Sequence, residues 1–386
     1  MSEIKVNSIK GVGATAAAIT VNNSDGTCTA NITNKPNRNL IINGDMKIAQ
    51  RGTSSTSSGF YTVDRFQLNY TGTNEAPTQA QVALTSSDTP YSSGFRFSYK
   101  VTNGNQTGGG GAAKFIRFKT TIEAQDIAQS GWNYTSSSSN VTLSFWVKAS
   151  IAQTYYGRLQ TEDGTARNYP FSFALSENTW TKVTKTISGN TSPTLQFDND
   201  NGAGLILEIV PYYGTNYTGS MSLDAWATYS DRTPNNTASW YEADNATFEI
   251  TGVQLEVSDH ASDFQFKSFA EELALCQRYF HIIKTGSGEE FYLGQLQVYG
   301  SGACHGKYFH FPVTMRTKPT TTLSGNITPT NSSGSFTTNF SSATFDRNSP
   351  EFVGSNNTSG SSGLSAGNTT AVGLRENSSI SSSAEL

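Results

Sequence analysis

The residues of this chain best suited to act on another molecule are four large rings set among small polar side chains: Trp146, Trp226, Tyr229 and Trp240. Sugar rings stack their apolar C–H faces on such side chains, while their hydroxyls need directional partners. Aromatics flanked by Ser, Thr, Asn and Asp therefore point to carbohydrate binding. Trp146 falls on the polar side of an alternating strand, and Trp226 and Tyr229 lie in a turn-rich stretch before Asp231, which predicts exposure. For any single ring, a place in the core or at a subunit interface is the competing alternative.

Other chemistries find weaker support. Gly363-Leu364-Ser365-Ala366-Gly367 matches the nucleophile-elbow pattern, but its flanks are Gly/Ser/Asn/Thr-rich and no histidine follows to act as base. His281, His305, His310, Cys276 and Cys304 gather in one stretch without usual zinc spacing. Asp198-Asn199-Asp200-Asn201-Gly202 has the oxygen density of a calcium loop. It lacks a third ligand in phase, however, and Glu208 is one place short of the closing position. A tight Asx turn is the stronger reading, with Asp198 and Asp200 kept as candidates for a structural calcium and no other cofactor implied. Carboxylate pairs such as Glu162/Asp163 and Asp231/Glu242 would have to sit about 5–10 Å apart across a cleft to cleave a glycoside, and no motif selects either pair.

Composition narrows the class. The 386 residues carry 26 Lys+Arg against 30 Asp+Glu, so the formal charge is −4. That argues against nucleic acid, which needs a basic face. Charged residues are only 15% of the chain, while Ser, Thr and Asn together make up roughly a third. With 5 Trp, 17 Tyr and 22 Phe the chain is nevertheless rich enough in aromatics to fold. No run approaches the roughly 20 apolar residues of a membrane span, and the opening residues have no apolar stretch of signal-peptide type. Three widely spaced cysteines, Cys28, Cys276 and Cys304, do not make a disulfide framework.

The elements that must position the rings read as all-β. Residues 1–37 hold short β pieces with few large apolar side chains, too few for a core of their own. Between 38 and 266 about ten strands alternate with Gly/Asn/Ser turns, which predicts a jelly-roll sandwich. In one of them Val141, Leu143, Phe145 and Val147 face one way and Thr142, Ser144 and Trp146 the other. One helix is expected over 267–285. Ser268 and Glu271 form a capping box, and Phe269, Leu273, Cys276 and Phe280 share an apolar face reaching about Ile283, with Cys276 in the core. Residues 286–386 form a second β region, where Phe336, Phe340, Phe345 and Phe352 suggest thin strands that share a core between chains.

Several segments resemble a known group. Arg38-Asn39-Leu40-Ile41-Ile42-Asn43-Gly44-Asp45-Met46, Gln50-Arg51-Gly52 and Val63-Asp64-Arg65-Phe66 are similar to the opening of a module common in bacteriophage tail-fibre and other virion proteins. Leu143-Ser144-Phe145-Trp146-Val147, Thr179-Trp180-Thr181-Lys182-Val183 and residues 248–257 resemble strands of jelly-roll carbohydrate-binding modules. Residues 271–280, 311–319 and the end Ala384-Glu385-Leu386 resemble the same phage proteins. The resemblance implies a homotrimeric virion fibre. Residues 1–37 would anchor it to another protein of the tail or capsid, and its more distal parts would bind host-surface polysaccharide without enzymatic action or membrane insertion. A capsid-attached decoration protein and a polysaccharide-degrading tailspike stay open as alternatives.

Overall fold

Alternation of apolar and polar residues, carried over strand after strand, builds two facing sheets. The computed structural model describes residues 7–10, 18–21, 24, 28–30, 38–300, 303–305, 311–329, 354–355, 367 and 369–386. Its sandwich strands are β1 (Gln67–Thr71), β2 (Thr78–Ala83), β3 (Phe97–Thr102), β4 (Phe115–Glu123), β5 (Asn140–Ala149), β6 (Gln153–Thr161), β7 (Arg167–Leu175), β8 (Thr181–Ser188), β9 (Ala203–Tyr213), β10 (Ala227–Thr228) and β11 (Thr247–Glu256). One sheet has the order β10-β7-β6-β9-β4-β1. The other runs β8-β5-β11-β3-β2, with Ser54–Ser55 at its edge. The chain passes repeatedly from one sheet to the other, the connectivity of a jelly roll.

The expected faces are found. Val141, Leu143, Phe145 and Val147 are all fully buried and meet Tyr155, Leu159, Phe171 and Ile209 of the facing sheet in one core. A bulge shifts the register of β11 against β5 between Thr251 and Gln254. Gly252 there has φ +62, and a side chain at this position would run into Phe95.

The N-terminal pieces, where described, pair as a three-stranded antiparallel sheet of Ser8–Ile9, Ile19–Val21 and Cys28–Ala30. Among the described residues no helix is long and apolar enough to cross a membrane.

The helix departs from expectation. It spans Phe269–Gln277, and its capping box is present, with Ser268 Oγ accepting from Glu271 N at 3.2 Å. It does not continue to Ile283, because Phe280–Lys284 is a strand paired with Ser379–Ser383. The ring- and Ile-rich run after Arg278 suits a pleated strand better than a helix, and a partner strand was available. The apolar face shifts accordingly. Cys276 is buried as expected and Glu272 is buried with it, accepting from Asn43 N, whereas Phe269 is 62% exposed.

Beyond the helix the strands form two small sheets, a three-stranded one of Phe280–Lys284, Ser379–Ser383 and Thr320–Ser324, and a five-stranded one around Phe291–Gly300 and Thr369–Leu374. Leu293, Val298, Met315, Ile327, Val372 and Leu374 supply their core. Phe336, Phe340, Phe345, Phe352, His310 and the serine of the elbow-like pattern lie outside the described residues.

A buried polar node ties this region to the sandwich. Glu123, at the end of β4, accepts from Arg278 through both oxygens at 2.7 and 2.8 Å and from Tyr279 Oη at 2.5 Å. Arg316 donates to the carbonyls of Asn201, Ala384 and Glu385 at 2.7–2.9 Å. Arg65 pairs with Glu385, its guanidinium 3.4 Å over the Tyr279 ring, and Arg51 Nη2 reaches Glu385 at 3.1 Å.

Asp64 gives this node a pH signature. Burial pushes its carboxyl up to about 6, against the opposing pull of Arg51. The folded chain thus holds this proton more tightly than an unfolded one at the ordinary 3.8. Its contribution is complete below the unfolded value and is lost as pH rises through 6. Asp64→Asn is expected to remove up to about 3 kcal/mol of this pH dependence, measured by urea unfolding at about pH 4 and about pH 7. An undiminished slope in the variant would assign it elsewhere.

Candidate functional site

Of the four nominated rings, Trp146 is set in a pocket. It stands on the outer row of β5 with Ser144, opposite Lys182 of β8 and Thr251 of β11. Thr142, Ser144 and Trp146 point outward because their neighbours at 141, 143, 145 and 147 point into the core. The half-buried Trp146 ring, Phe95, Phe264 and Phe266 form the apolar part of a cavity of about 390 Å³, with Lys182 and Asp263 among the polar groups around it. Phe95 holds Phe264 edge-on at 4.9 Å and Phe266 tilted at 5.1 Å, so the phenyl rings brace one another.

A second ring, Trp180, is buried in the same aromatic cluster. Trp180 donates its indole N–H to Asp88 at 2.8 Å, and Lys148 Nζ lies 4.8 Å from the Trp180 ring and 3.4 Å from Asp88. Partial burial alone would raise the Asp88 carboxyl. Hydrogen bonds from Thr85 and Trp180, with Lys148 nearby, hold it down at about 2. Around the Trp146 pocket itself, aromatic surface meets Lys182, Asp263 and the hydroxyls of Ser93, Ser144 and Ser262, an arrangement able to take a sugar ring face-on and hydrogen-bond its edge.

The other three rings are placed differently. Trp240 is fully buried, donating to the Thr247 carbonyl at 2.9 Å with its ring edge-on to Phe248. Trp226 is 8% exposed, packed on Tyr169 at 5.2 Å and bonded to the Ser188 carbonyl. Neither presents a face to a ligand, which corrects the exposure expected of Trp226 and the sugar-binding role expected of Trp240. In each the apolar ring fills the core and a backbone carbonyl satisfies its one polar atom. Tyr229 is half-buried, with the Arg158 guanidinium 5.4 Å from its ring.

The acidic turn is an Asx turn. Asp200 Oδ1 accepts from Gly202 N at 2.8 Å, Asp163 accepts from Asp198 N at 3.0 Å, and Asn201 bonds Arg316 of the node. Among the described residues no group of three or more His, Cys, Asp or Glu is arranged to hold a metal ion.

A cluster that the sequence reading missed lies on the outer face of the other sheet. The register puts Arg158 of β6 opposite Glu208 of β9, which in turn faces Lys119 of β4. Arg158 Nε donates to Glu208 Oε2 at 2.5 Å, Tyr213 Oη donates to the same oxygen, and Arg117 pairs with Oε1. Arg232, on the segment after β10, donates to Tyr213 Oη at 3.2 Å. Burial would raise the Glu208 carboxyl, but Arg158 and Arg117 overcome it and hold it at about 2. Burial, and then Arg117, push the Lys119 ammonium down. The available signal was a charge at the centre of an apolar run, as in Leu207-Glu208-Ile209 and Ile116-Arg117-Phe118.

No model of a protein family matches the chain, and no curated protein matches it in sequence. Among solved structures it is similar to the enzymatically active domain of a bacteriophage CBA120 tailspike protein, at 11% identity and TM-score 0.32 over 59% of this chain and 24% of that one. It is also similar to a putative sugar binding protein from Bacteroides thetaiotaomicron, at 13% identity and TM-score 0.29 over 57% of this chain and 100% of the other. A family 11 carbohydrate-binding module from Clostridium thermocellum, in complex with a β-1,3-1,4-mixed-linked tetrasaccharide, matches at 8% identity and TM-score 0.27 over 54% of this chain and 98% of that module. The chain thus spans about a quarter of the tailspike chain and nearly all of each of the two smaller proteins, and the architecture its own strands build is an all-β jelly-roll sandwich.

Proposed function

We propose that this protein is a non-enzymatic fibre protein of a phage virion that attaches the particle to glycan on the host surface. The observation that carries the binding half is the Trp146 pocket, a half-buried indole beside three mutually braced phenyl rings, with polar groups at the rim. The virion half rests on the resemblance of residues 38–66, 271–280, 311–319 and 384–386 to phage fibre segments. In this reading residues 1–37 anchor the chain to a tail or capsid protein and the protein acts as a homotrimer. Three linked copies would turn weak contacts into firm attachment.

Trp146→Ala is expected to weaken glycan binding tenfold or more, about 2 kcal/mol if the ring is the anchor of its site. The core row behind it is untouched, so the melting temperature should move by only a few degrees. A glycan array probed with both proteins reads the effect. Equal binding by the variant would remove this pocket from the proposal, and a wild-type protein that binds no glycan at all would remove the proposal itself.

A further inference from the structure

We propose that the outer face of β4, β9 and β6 is a second binding site, selective for sugars that carry a carboxylate, with Lys119 and Arg232 as the groups that receive the anion. The inference rests on the glycan-binding reading and goes beyond it by naming a different face and a ligand class.

Four cations, Arg117, Lys119, Arg158 and Arg232, gather around the single buried carboxylate of Glu208, in a chain whose formal charge is −4. Both Glu208 oxygens are taken, Oε1 by Arg117 and Oε2 by Arg158 and Tyr213. Arg158 is further occupied by Gln160 and Asn168, so it belongs to the frame. Of the other three, Arg117 shares Glu208 with Arg158, while Lys119 and Arg232 are left without an anion. Among the described residues neither Lys119 nor Arg232 has a carboxylate within salt-bridge distance, whereas Arg117 is paired with Glu208 through Nη1 and keeps only a buried Nε without an acceptor. Glu162, which also acts electrostatically on Lys119, is exposed and bonded by Gln160.

What holds the Arg232 guanidinium is aromatic instead of acidic. Arg232 lies 5.0 Å from the Tyr217 ring, 5.4 Å from Tyr213 and 5.9 Å from Phe115, and Arg117 lies 5.0 Å from Phe115. Ring contact orients a guanidinium without neutralising it, so its N–H groups keep their demand for an anion. Unpaired charge at partly buried positions is costly, and a carboxylate from outside would relieve it. Half-buried Phe115 and Tyr217 beside the cations supply a surface for the sugar ring that bears the carboxylate.

The test uses the full chain and a panel of uronate- and sialate-bearing oligosaccharides beside neutral ones of equal length. Titration calorimetry at about 50 mM and about 300 mM NaCl separates charge from stacking. The expected result is that acidic oligosaccharides bind, more weakly at the higher salt, and that Arg232→Gln with Lys119→Gln lowers their affinity at least tenfold while leaving that for neutral oligosaccharides unchanged. Neither Arg232 nor Lys119 holds a carboxylate, so the double variant should melt close to wild type, a control run alongside. Undiminished acidic binding by the double variant would overturn the inference. Neutral oligosaccharides binding while every acidic one fails would overturn it too and leave the glycan-binding reading standing. Silence toward both kinds would overturn both.

Discussion

Glu208→Gln is expected to lower the unfolding free energy by about 3–5 kcal/mol, the usual cost of removing one partner from a buried ion pair. Glu208 is 1% exposed and its carboxylate is shared by Arg158, itself 2% exposed, and Arg117, with Tyr213 as a third donor. A neutral amide leaves two guanidiniums buried with no compensating charge. The double replacement Glu208→Gln with Arg158→Met should recover part of the loss, because it removes a buried cation together with its anion. Urea unfolding at neutral pH reads both, through the midpoint at constant m-value. The same site sets an acid limit. A carboxyl held at about 2 in the folded chain, against an ordinary 4.5, contributes stability above 4.5 that is lost as pH falls towards 2. A loss below about 1 kcal/mol in the single variant would mean that water already screens the cluster.

Arg65→Ala should cost about as much, roughly 3–5 kcal/mol, and should loosen the C-terminal region in particular. Arg65 is 2% exposed, its backbone is held at φ +68, and its guanidinium covers the Tyr279 ring while donating to the Thr121 carbonyl at 2.5 Å. It is also the partner that Glu385 shares with Arg51. Truncation leaves a cavity, an uncovered ring face and a carboxylate with one cation fewer. Limited proteolysis separates this local effect from a general one. Cleavage after residue 278 should accelerate before the sandwich is attacked, since the sandwich core of Phe145, Tyr155 and Phe248 does not depend on Arg65. Uniform acceleration over the whole chain would show that the node does not act as a joint.

The segments that resemble phage fibre proteins acquire a common physical meaning from this node. Arg51, Asp64, Arg65, Arg278, Tyr279, Arg316 and Glu385 come from four separate segments, and in space they form one buried network between the sandwich and the β region that follows it. Their charges read as scattered surface residues along the chain. Burial, with each partner supplied from far away in sequence, makes them a joint.

The sequence by itself determined what depends on near neighbours. The inward row of β5, the capping box at Ser268 and the place of Cys276 in the core follow from alternation, helix-end hydrogen bonding and apolar spacing, all local effects. Tertiary structure alone decided the rest. Pairing with Ser379–Ser383 turned Phe280–Lys284 from helix to strand, packing drew Trp226 and Trp240 into the core, and strand register set Arg158 and Lys119 against Glu208. The physical reason is that a ring's exposure and a charge's partner depend on which strands become neighbours. Local spacing orients a side chain on its strand and leaves open what will cover it.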